Sequence, residues 1–251
     1  MLGQRIKIMG LNIDSLTIEE TIIIIEETIK KKLKCQHVVL NAGKMVLAYK
    51  NEKLKGIINN CQIINADGQA VVWASKLLGK PLPERVAGVD LMNNLIKVSA
   101  AKGYKIYLFG AKEEVVTRVV DVLKEDNPLL KIAGYRNGYF SEVENFEIIR
   151  DMNKSKADIL FIGFSSPKKE YWLEQNINKI DIPFCMGVGG SFDIVASVTK
   201  RAPKWMQQLG LEWFFRFIQE PKRMWKRYLL GNTKFIYYIL REKLIFLKRK
   251  I

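Results

Sequence analysis

Short apolar runs with very little charge recur along this chain, and longer segments of helical period separate them. HVVLN (37–41), CQIIN (61–65), KIYLF (105–109), DILFI (158–162) and PFCM (183–186) read as strands. Helix candidates span 17–33, 68–78, 89–101, 113–124, 142–154 and 168–178. The first opens on Thr17 with Glu20 three residues on, the pattern of a capping box. Strands of this kind are buried on both faces, so the expected fold class is α/β, a parallel sheet flanked by helices. Such sheets bind ligands beyond the carboxyl ends of their strands. The unusual residues collect there: Asn41, Asp67-Gly68, Gly163 and the turn Gly187–Gly190.

One composition shift divides the chain, near Lys200. From there to the last residue 14 Lys and Arg stand against 3 Glu, a net of +11 out of +15 for the whole chain. Aromatic residues interleave with that charge in RAPKWMQQLGLEWFFRFIQEPKRMWKRY (201–228). The expectation is an α/β core over 1–199 and a basic, aromatic-rich helical appendage over 200–251. Beyond Pro221 the apolar residues Trp225, Tyr228, Leu229, Phe235, Ile236, Ile239, Leu240, Phe246 and Leu247 fall at roughly helical spacing. Opposite them lie Lys222, Arg223, Lys226, Arg227, Lys234, Arg241, Lys243, Lys248, Arg249 and Lys250. That pattern fits an interfacial membrane helix, or equally an amphipathic helix docked on its own core with a solvated basic face. The charge favours the anionic membrane surface. No RNP-like, KH or zinc-finger pattern is present, so nucleic acid is not expected as a partner.

At 251 residues and 48% hydrophobic composition the chain can bury a full core. Cys35, Cys61 and Cys185 are odd in number and far apart, which fits buried thiols in a reducing compartment. With His37 as the only histidine, a metal centre would have to be built from carboxylates. No long apolar h-region opens the sequence, and the run Ile22–Ile25 is far too short to span a bilayer. The expected location is cytoplasmic, lying on a membrane rather than crossing it.

Three positions carry candidate chemistry. Asp67 follows a strand and precedes Gly68 and a helix, where it can serve as a general base or as a helix N-cap. Arg85 can hold a phosphate in its guanidinium fork, or pair with Glu84 or Asp90. Gly187, Gly189 and Gly190 let a backbone approach an anion, although Phe192 breaks a GxGxxG fingerprint and no Walker lysine follows. Gly110 is a lone glycine and gives nothing to build on. The chain has no Asp-x-Asp for a divalent ion; a diphosphate would have to be met by Arg and Lys side chains and helix ends. No cofactor is expected.

Taken in order, NADGQAVVWASKLLGKPLPERVAGVDLM (65–92), NGYF (137–140), ADILFIGFSSPKKEYW (157–172), MGVGGSFDIVASVTKRAP (186–203) and GLEWFFRFIQEPKRMWKRY (210–228) resemble the bacterial WecG/TagA/CpsF glycosyltransferase family. The resemblance implies a Rossmann-like core with a C-terminal helical appendage that helps close the active site at the cytoplasmic membrane. It implies inverting, metal-independent transfer from a UDP-sugar to undecaprenyl-diphosphate-linked N-acetylglucosamine, the donor being N-acetylmannosamine or its uronic acid. By the same motifs Asp67 becomes the general base, Asn41 lies beside the donor, and Arg85 holds diphosphate. Tyr139 and Asp193 fall at the uridine, and Arg216 and Arg223 reach over the diphosphate or the lipid phosphate. Two positions depart from the family pattern. Val39 stands where a Thr is common, and Lys169 stands where Gln is common in P-x-Q-E. A lysine facing the donor would favour an extra negative charge such as a uronic acid carboxylate.

A second reading is a non-catalytic peripheral membrane-binding protein of the same fold; the intact Asp67, Arg85 and Gly187–Gly190 speak against it. An amphipathic appendage without its membrane can also pair with a copy of itself, so a homo-oligomer is within reach.

Overall fold

The computed structural model describes residues 4–225 and 230–248. Two short strands, β1 (Arg5–Ile8) and β2 (Leu11–Asp14), form an antiparallel hairpin. Met9 and Gly10 both have positive φ (52° and 76°), as a tight hairpin turn requires. The main sheet is built from β3 (Cys35–Leu40), β4 (Ile63–Ala66), β5 (Lys105–Gly110), β6 (Lys131–Arg136), β7 (Ile159–Gly163) and β8 (Phe184–Gly187). All its pairings are parallel, in the order β4-β3-β8-β7-β5-β6. The hairpin guards the β4 edge. Asp14 accepts the Ile64 N–H at 2.7 Å and is clamped by Arg5, which also donates to the Gln62 carbonyl. An edge group that would otherwise invite another strand is thereby satisfied.

The helices of the core are α1 (Ile18–Lys30), α2 (Ala42–Tyr49), α3 (Glu52–Asn59), α4 (Gln69–Leu77), α5 (Gly88–Lys102), α6 (Glu113–Asp126), α7 (Asn145–Ser155), α8 (Lys168–Asn176) and α9 (Ser191–Val195). They cover both faces because neighbouring strand residues point to opposite sides. Leu40, Ile64 and Ala66 pack with Met45 of α2 and Val71 of α4. Ile63, Leu108, Phe161 and Met186 pack with Ile25 of α1, Leu95 of α5 and Val119 of α6. Phe109, Leu160 and Ile162 pack with Ile149 of α7 and Trp172 of α8.

Five strands and six helices form where the sequence places them, with ends shifted by at most three residues. The Thr17 capping box is present: Thr17 Oγ1 accepts the Glu20 N–H, and Glu20 Oε2 accepts the Thr17 N–H. All three cysteines are buried and free. The single histidine is a buried residue of β3, where His37 Nε2 meets Asn65 Oδ1 of β4 at 2.9 Å. Burial, then the positive field of Lys44 and Lys169, lowers its pKa to about 4 despite the bond to Asn65. It remains neutral at working pH and holds no place at the strand ends.

After Lys200 the chain forms α10 (Lys204–Gln208), α11 (Glu212–Gln219), α12 (Pro221–Trp225) and α13 (Gly231–Lys248). One stripe of α13 docks on the core: Phe235 and Ile239 are buried in the α2 cluster, and Glu242 Oε2 accepts the Met9 N–H at 2.7 Å. The rest of its apolar side, including Ile236, Tyr237, Leu240 and Leu244, is exposed. Lys226, Arg227, Tyr228, Leu229, Arg249 and Lys250 lie outside the described residues, as does the side chain of Arg223. No described helix is long and apolar enough to cross a membrane.

Candidate active site

The strand order fixes where a ligand can enter. From β5 the chain passes through α6 outward to β6, and from β7 it passes through α8 the other way to β8. The crevice between β5 and β7 is therefore a topological switch point. Its rim is made of glycines because nothing larger fits. A Cβ on Gly110 would lie 2.7 Å from the Gly163 backbone. One on Gly138 would lie 2.6 Å from Phe164 Cε1, and one on Gly163 would lie 2.5 Å from Phe192 Cδ2. Gly110, unused in the sequence reading, is part of this rim, and its φ of 133° is open to glycine alone. Tyr139 follows Gly138 with its ring exposed and its N–H donated to Asn137 Oδ1.

On the far side of β8 lie the candidate catalytic groups. Asn41 ends β3 and caps α2, its Oδ1 accepting the Lys44 N–H at 3.0 Å. A Cβ on Gly68 would sit 3.3 Å from the Asn41 Cβ, so the ends of β3 and β4 touch. Asp67 is not a helix cap: the N-cap of α4 is Gly68, and no side chain caps that helix. Instead Asp67 Oδ1 accepts the N–H of Gly88, the first residue of α5, at 3.2 Å. Val39, where the family pattern has a hydroxyl, packs against this same helix start, its Cγ2 3.5 Å from a Cβ built on Gly88.

The ion pairs proposed for Arg85 are also corrected. Glu84 accepts the Ile18 N–H at the start of α1, and Asp90 is held by Arg201 through two bonds of 2.6 and 2.7 Å. Arg85 pairs with Glu212 of α11, Nη1 to Oε2 at 3.0 Å. Glu212 Oε1 lies 3.5 Å from Arg201 Nε, a nitrogen that is buried without a hydrogen bond. A chain of alternating charge thus runs from Asp67 through Arg85, Glu212 and Arg201 to Asp90. The link from core to appendage spans 127 residues of sequence, and spacing gave no sign of it. Burial raises the Asp67 pKa first, the Glu212 charge raises it further, and Arg85, the Gly88 N–H and Lys44 pull it down. The net direction is upward, which suits a carboxylate that must accept a proton.

Between β3 and β7 a second charged group is fully buried. Lys44 Nζ donates to Glu170 Oε1 at 2.8 Å, Ser166 Oγ donates to the same oxygen at 2.9 Å, and Lys169 Nζ lies 3.9 Å away. The Lys169 stem lies along the end of β8, where a Cβ on Gly187 would meet its Cδ at 2.6 Å. Its Nζ stands 3.4 Å from a Cβ built on Gly189. Gly187 and Gly189 therefore make room for Lys169 at the floor of the site. A Cβ on Gly190 would sit 3.5 Å from both Arg216 Nη2 and Asp193 Oδ2, so α11 and α9 bring those two side chains to one turn.

The structure thus gathers Asn41, Asp67, Arg85, Lys169, Gly187, Gly189, Gly190, Asp193 and Arg216 along the β4-β3-β8 edge, with Tyr139 apart on the β6 side. Sequence reasoning missed Glu212, Lys44, Glu170 and Ser166. Glu212 and Glu170 lie inside quoted motifs, GLEW and PKKE, without having been given a role. Among the described residues no group of three His, Cys, Asp or Glu side chains is placed to hold a metal ion. A groove of about 610 Å³ on the outer face of α7, with Phe146 and Arg150 in its wall, contains none of these groups.

The sequence profile described as the glycosyl transferase WecG/TagA/CpsF family matches residues 6–249. An N-acetylglucosaminyldiphosphoundecaprenol N-acetyl-beta-D-mannosaminyltransferase of Staphylococcus aureus (strain MW2) is 30% identical over 249 residues, 98% of this chain and 94% of its own length. One of the same name from Bacillus subtilis (strain 168) is 33% identical over 196 residues, 78% of this chain and 75% of its own length. With residues 6–249 matched by the family profile and 98% of its length aligned to a relative 30% identical, the chain belongs to the WecG/TagA/CpsF family of glycosyl transferases.

Proposed function

We propose that this enzyme moves N-acetylmannosamine, or a related hexose or uronic acid, from a UDP-sugar to undecaprenyl-diphosphate-linked N-acetylglucosamine at the cytoplasmic face of the membrane. The acceptor follows from the names of the relatives. The observation that carries the chemistry is Asp67, oriented by the Gly88 N–H beside Arg85. Asp67 takes the proton of the acceptor hydroxyl as its oxygen attacks the anomeric carbon, and the bond to the UDP oxygen breaks on the opposite face. A single displacement of this kind inverts the anomeric configuration. The uridine lies toward Tyr139 and Asp193, Asn41 orients the donor sugar, and the glycine turn Gly187–Gly190 admits the diphosphate. Arg85, Arg216 and Arg223 meet the charge that develops on the leaving group, without a metal ion.

The test is transfer from a panel of radiolabelled UDP-sugars to lipid-diphosphate N-acetylglucosamine, with Lys169→Gln beside the wild type. Wild-type transfer is expected. A buried lysine beside the donor predicts a higher kcat/KM for a uronic acid than for its hexosamine, with that preference falling about tenfold or more in the variant. An unmoved preference removes Lys169 from sugar reading, and no transfer from any donor removes the function.

The membrane enters through the appendage. Trp205, Trp213, Phe214 and Ile218 are exposed among basic residues, as interfacial helices are. Anionic phosphatidylglycerol vesicles are expected to sediment the protein, and Ser at Trp205, Trp213 and Phe214 to release it. Deleting everything from Lys200 is the poorer test, because it also strips Phe235 and Ile239 from the core. Undiminished sedimentation of the triple variant would take the appendage out of the membrane reading.

A further inference from the structure

A cavity of about 550 Å³ lies between α10 and the Glu84-Arg85 loop together with the first turn of α5 (Asp90), with Gln69 in one wall and Lys204, Gln207 and Gln208 in the other. Its size falls in the range of small-molecule sites, about 300–1,000 Å³. It opens beside the base, because Gln69 is two residues past Asp67 and Arg85 lines it. It also lies on the β4 side of Asp67, away from the glycine-walled crevice between β5 and β7.

Its polar groups divide into those already committed and those still available. Arg201 is held by Asp90, Arg85 by Glu212, and Gln207 Nε2 by the Ala202 carbonyl. Lys204 makes no ion pair among the described residues, and the carboxamides of Gln69 and Gln208 make no hydrogen bond there. The Gln69 side chain is pressed to the cavity wall by Gly210, where a Cβ would come within 2.8 Å of its Cγ. Apolar side chains stand beside these groups: Trp73, Trp205 and Leu209 are 55%, 58% and 60% exposed.

Resting on the glycosyl-transfer reading, we propose that this cavity is the subsite for the acceptor, a diphosphate-linked N-acetylhexosamine whose lipid leaves past Trp73, Trp205 and Leu209. Three chemistries lie in the order such a molecule needs. Carboxamides beside Asp67 can donate to and accept from sugar hydroxyls and an acetamide. The Lys204 ammonium meets the diphosphate, and indole and leucine surface meets the first isoprenoid units. The acceptor hydroxyl then points at Asp67 from the side opposite the nucleotide, as a displacement with inversion requires. Since the appendage builds one wall, the subsite is complete only when α10 is docked.

The test uses the full chain and a water-soluble acceptor, N-acetylglucosamine diphosphate on a short alkyl chain, so that membrane affinity does not enter. Calorimetric titration is run on wild type, Lys204→Gln, Lys204→Arg and Gln208→Leu, with UDP titrated in parallel. A charge-assisted contact predicts acceptor affinity about tenfold weaker in Lys204→Gln, restored largely by Lys204→Arg, with UDP affinity unchanged. Gln208→Leu is expected to weaken the acceptor several-fold by the same criterion. Lys204 is exposed, so these variants should fold as the wild type does. Equal acceptor affinity in wild type and Lys204→Gln overturns the subsite, as does an equal loss of UDP affinity. Transfer measured alongside separates the two claims. A wild type that binds acceptor through Lys204 and transfers no sugar keeps the subsite and sinks the donor reading. Active transfer with Lys204-independent binding does the reverse.

Discussion

Asp67→Asn is expected to lower kcat by about 10²–10⁴ while leaving UDP binding and the melting temperature close to those of the wild type. The substitution is well posed because the structural role of Asp67 survives it. An Asn Oδ1 still accepts the Gly88 N–H, and no helix cap is lost, since α4 takes none from this side chain. What disappears is the ability to take a proton. The pH profile gives a second, independent readout. A base works when deprotonated, and burial and Glu212 raise the Asp67 pKa above its ordinary 3.8. The acid limb of kcat/KM is therefore expected above that value. The charges facing Asp67 are Glu212 from α11, Arg85 from the loop before α5, and Lys44 from α2, beside the Gly88 N–H. Glu212→Gln removes the one opposing negative charge and releases Arg85 from its partner. Both changes favour the carboxylate, so the limb should move to lower pH. Wild-type transfer by Asp67→Asn would return the residue to a purely positional role. A limb that stays in place in Glu212→Gln would detach the appendage from the base.

The parts of this fold that could be read from sequence are those in which one physical signal stood alone. HVVLN and DILFI carry β-branched and apolar residues with almost no charge, and both became buried central strands. Thr17 and Glu20 announced a helix start because both halves of the capping box are local. The hairpin was missed although RIKI alternates exposed and buried residues, because each strand has four residues and Met9 does not advertise a left-handed turn. Strand β6 was missed because it is a half-exposed edge. Its Gly134 lies where a Cβ would strike Tyr107 at 2.6 Å, and a glycine in a strand reads as a break. Helices α2 and α3 are eight residues each, capped by Asn41 and Asn51, too short for periodicity to declare them.

The site divides along the same line. Asp67 was legible as a carboxylate at a strand end, a local fact. Its partner was not, because the Gly88 N–H arrives from 21 residues away. Glu212 is the extreme case. Nothing in GLEW distinguishes a solvated helix-start glutamate from one that reaches into the core, and only the docking of α11 decides between them. Arg85 was read either as a phosphate fork or as the partner of Glu84 or Asp90; the structure pairs it with Glu212, an acid that proximity in sequence could not offer.

Lys44→Met is expected to destabilise the fold by about 3–5 kcal/mol, the cost of leaving one member of a buried pair without the other. For a chain of this size that is a drop in melting temperature on the order of 10 °C. The side chains of Lys44 and Glu170 are 5% and 3% exposed, and Glu170 Oε2 has no hydrogen-bond partner among the described residues. The remaining carboxylate would be left with Ser166 and the more distant Lys169. Burial alone would raise the Glu170 pKa, yet Lys44, Lys169 and Ser166 together hold it below its ordinary 4.5. The sign of the pH dependence follows. A depressed carboxylate pKa contributes stability that is present above the unfolded value and lost as pH falls through the folded one. In Lys44→Met that contribution is gone and burial raises the Glu170 pKa, so acid protonates the orphaned carboxyl and relieves it. The stability gap between wild type and variant should be widest near neutrality and narrow as pH falls, from the variant's raised Glu170 pKa above the ordinary 4.5 down to the wild type's depressed one below it. Adding Glu170→Met to Lys44→Met should recover part of the loss at neutral pH, because the Lys44–Glu170 pair is then wholly apolar, while Lys169 loses its acid partner at 3.9 Å. A gap that does not change with pH, with no recovery in the double variant, would mean that Lys44 acts by packing its stem rather than by its charge.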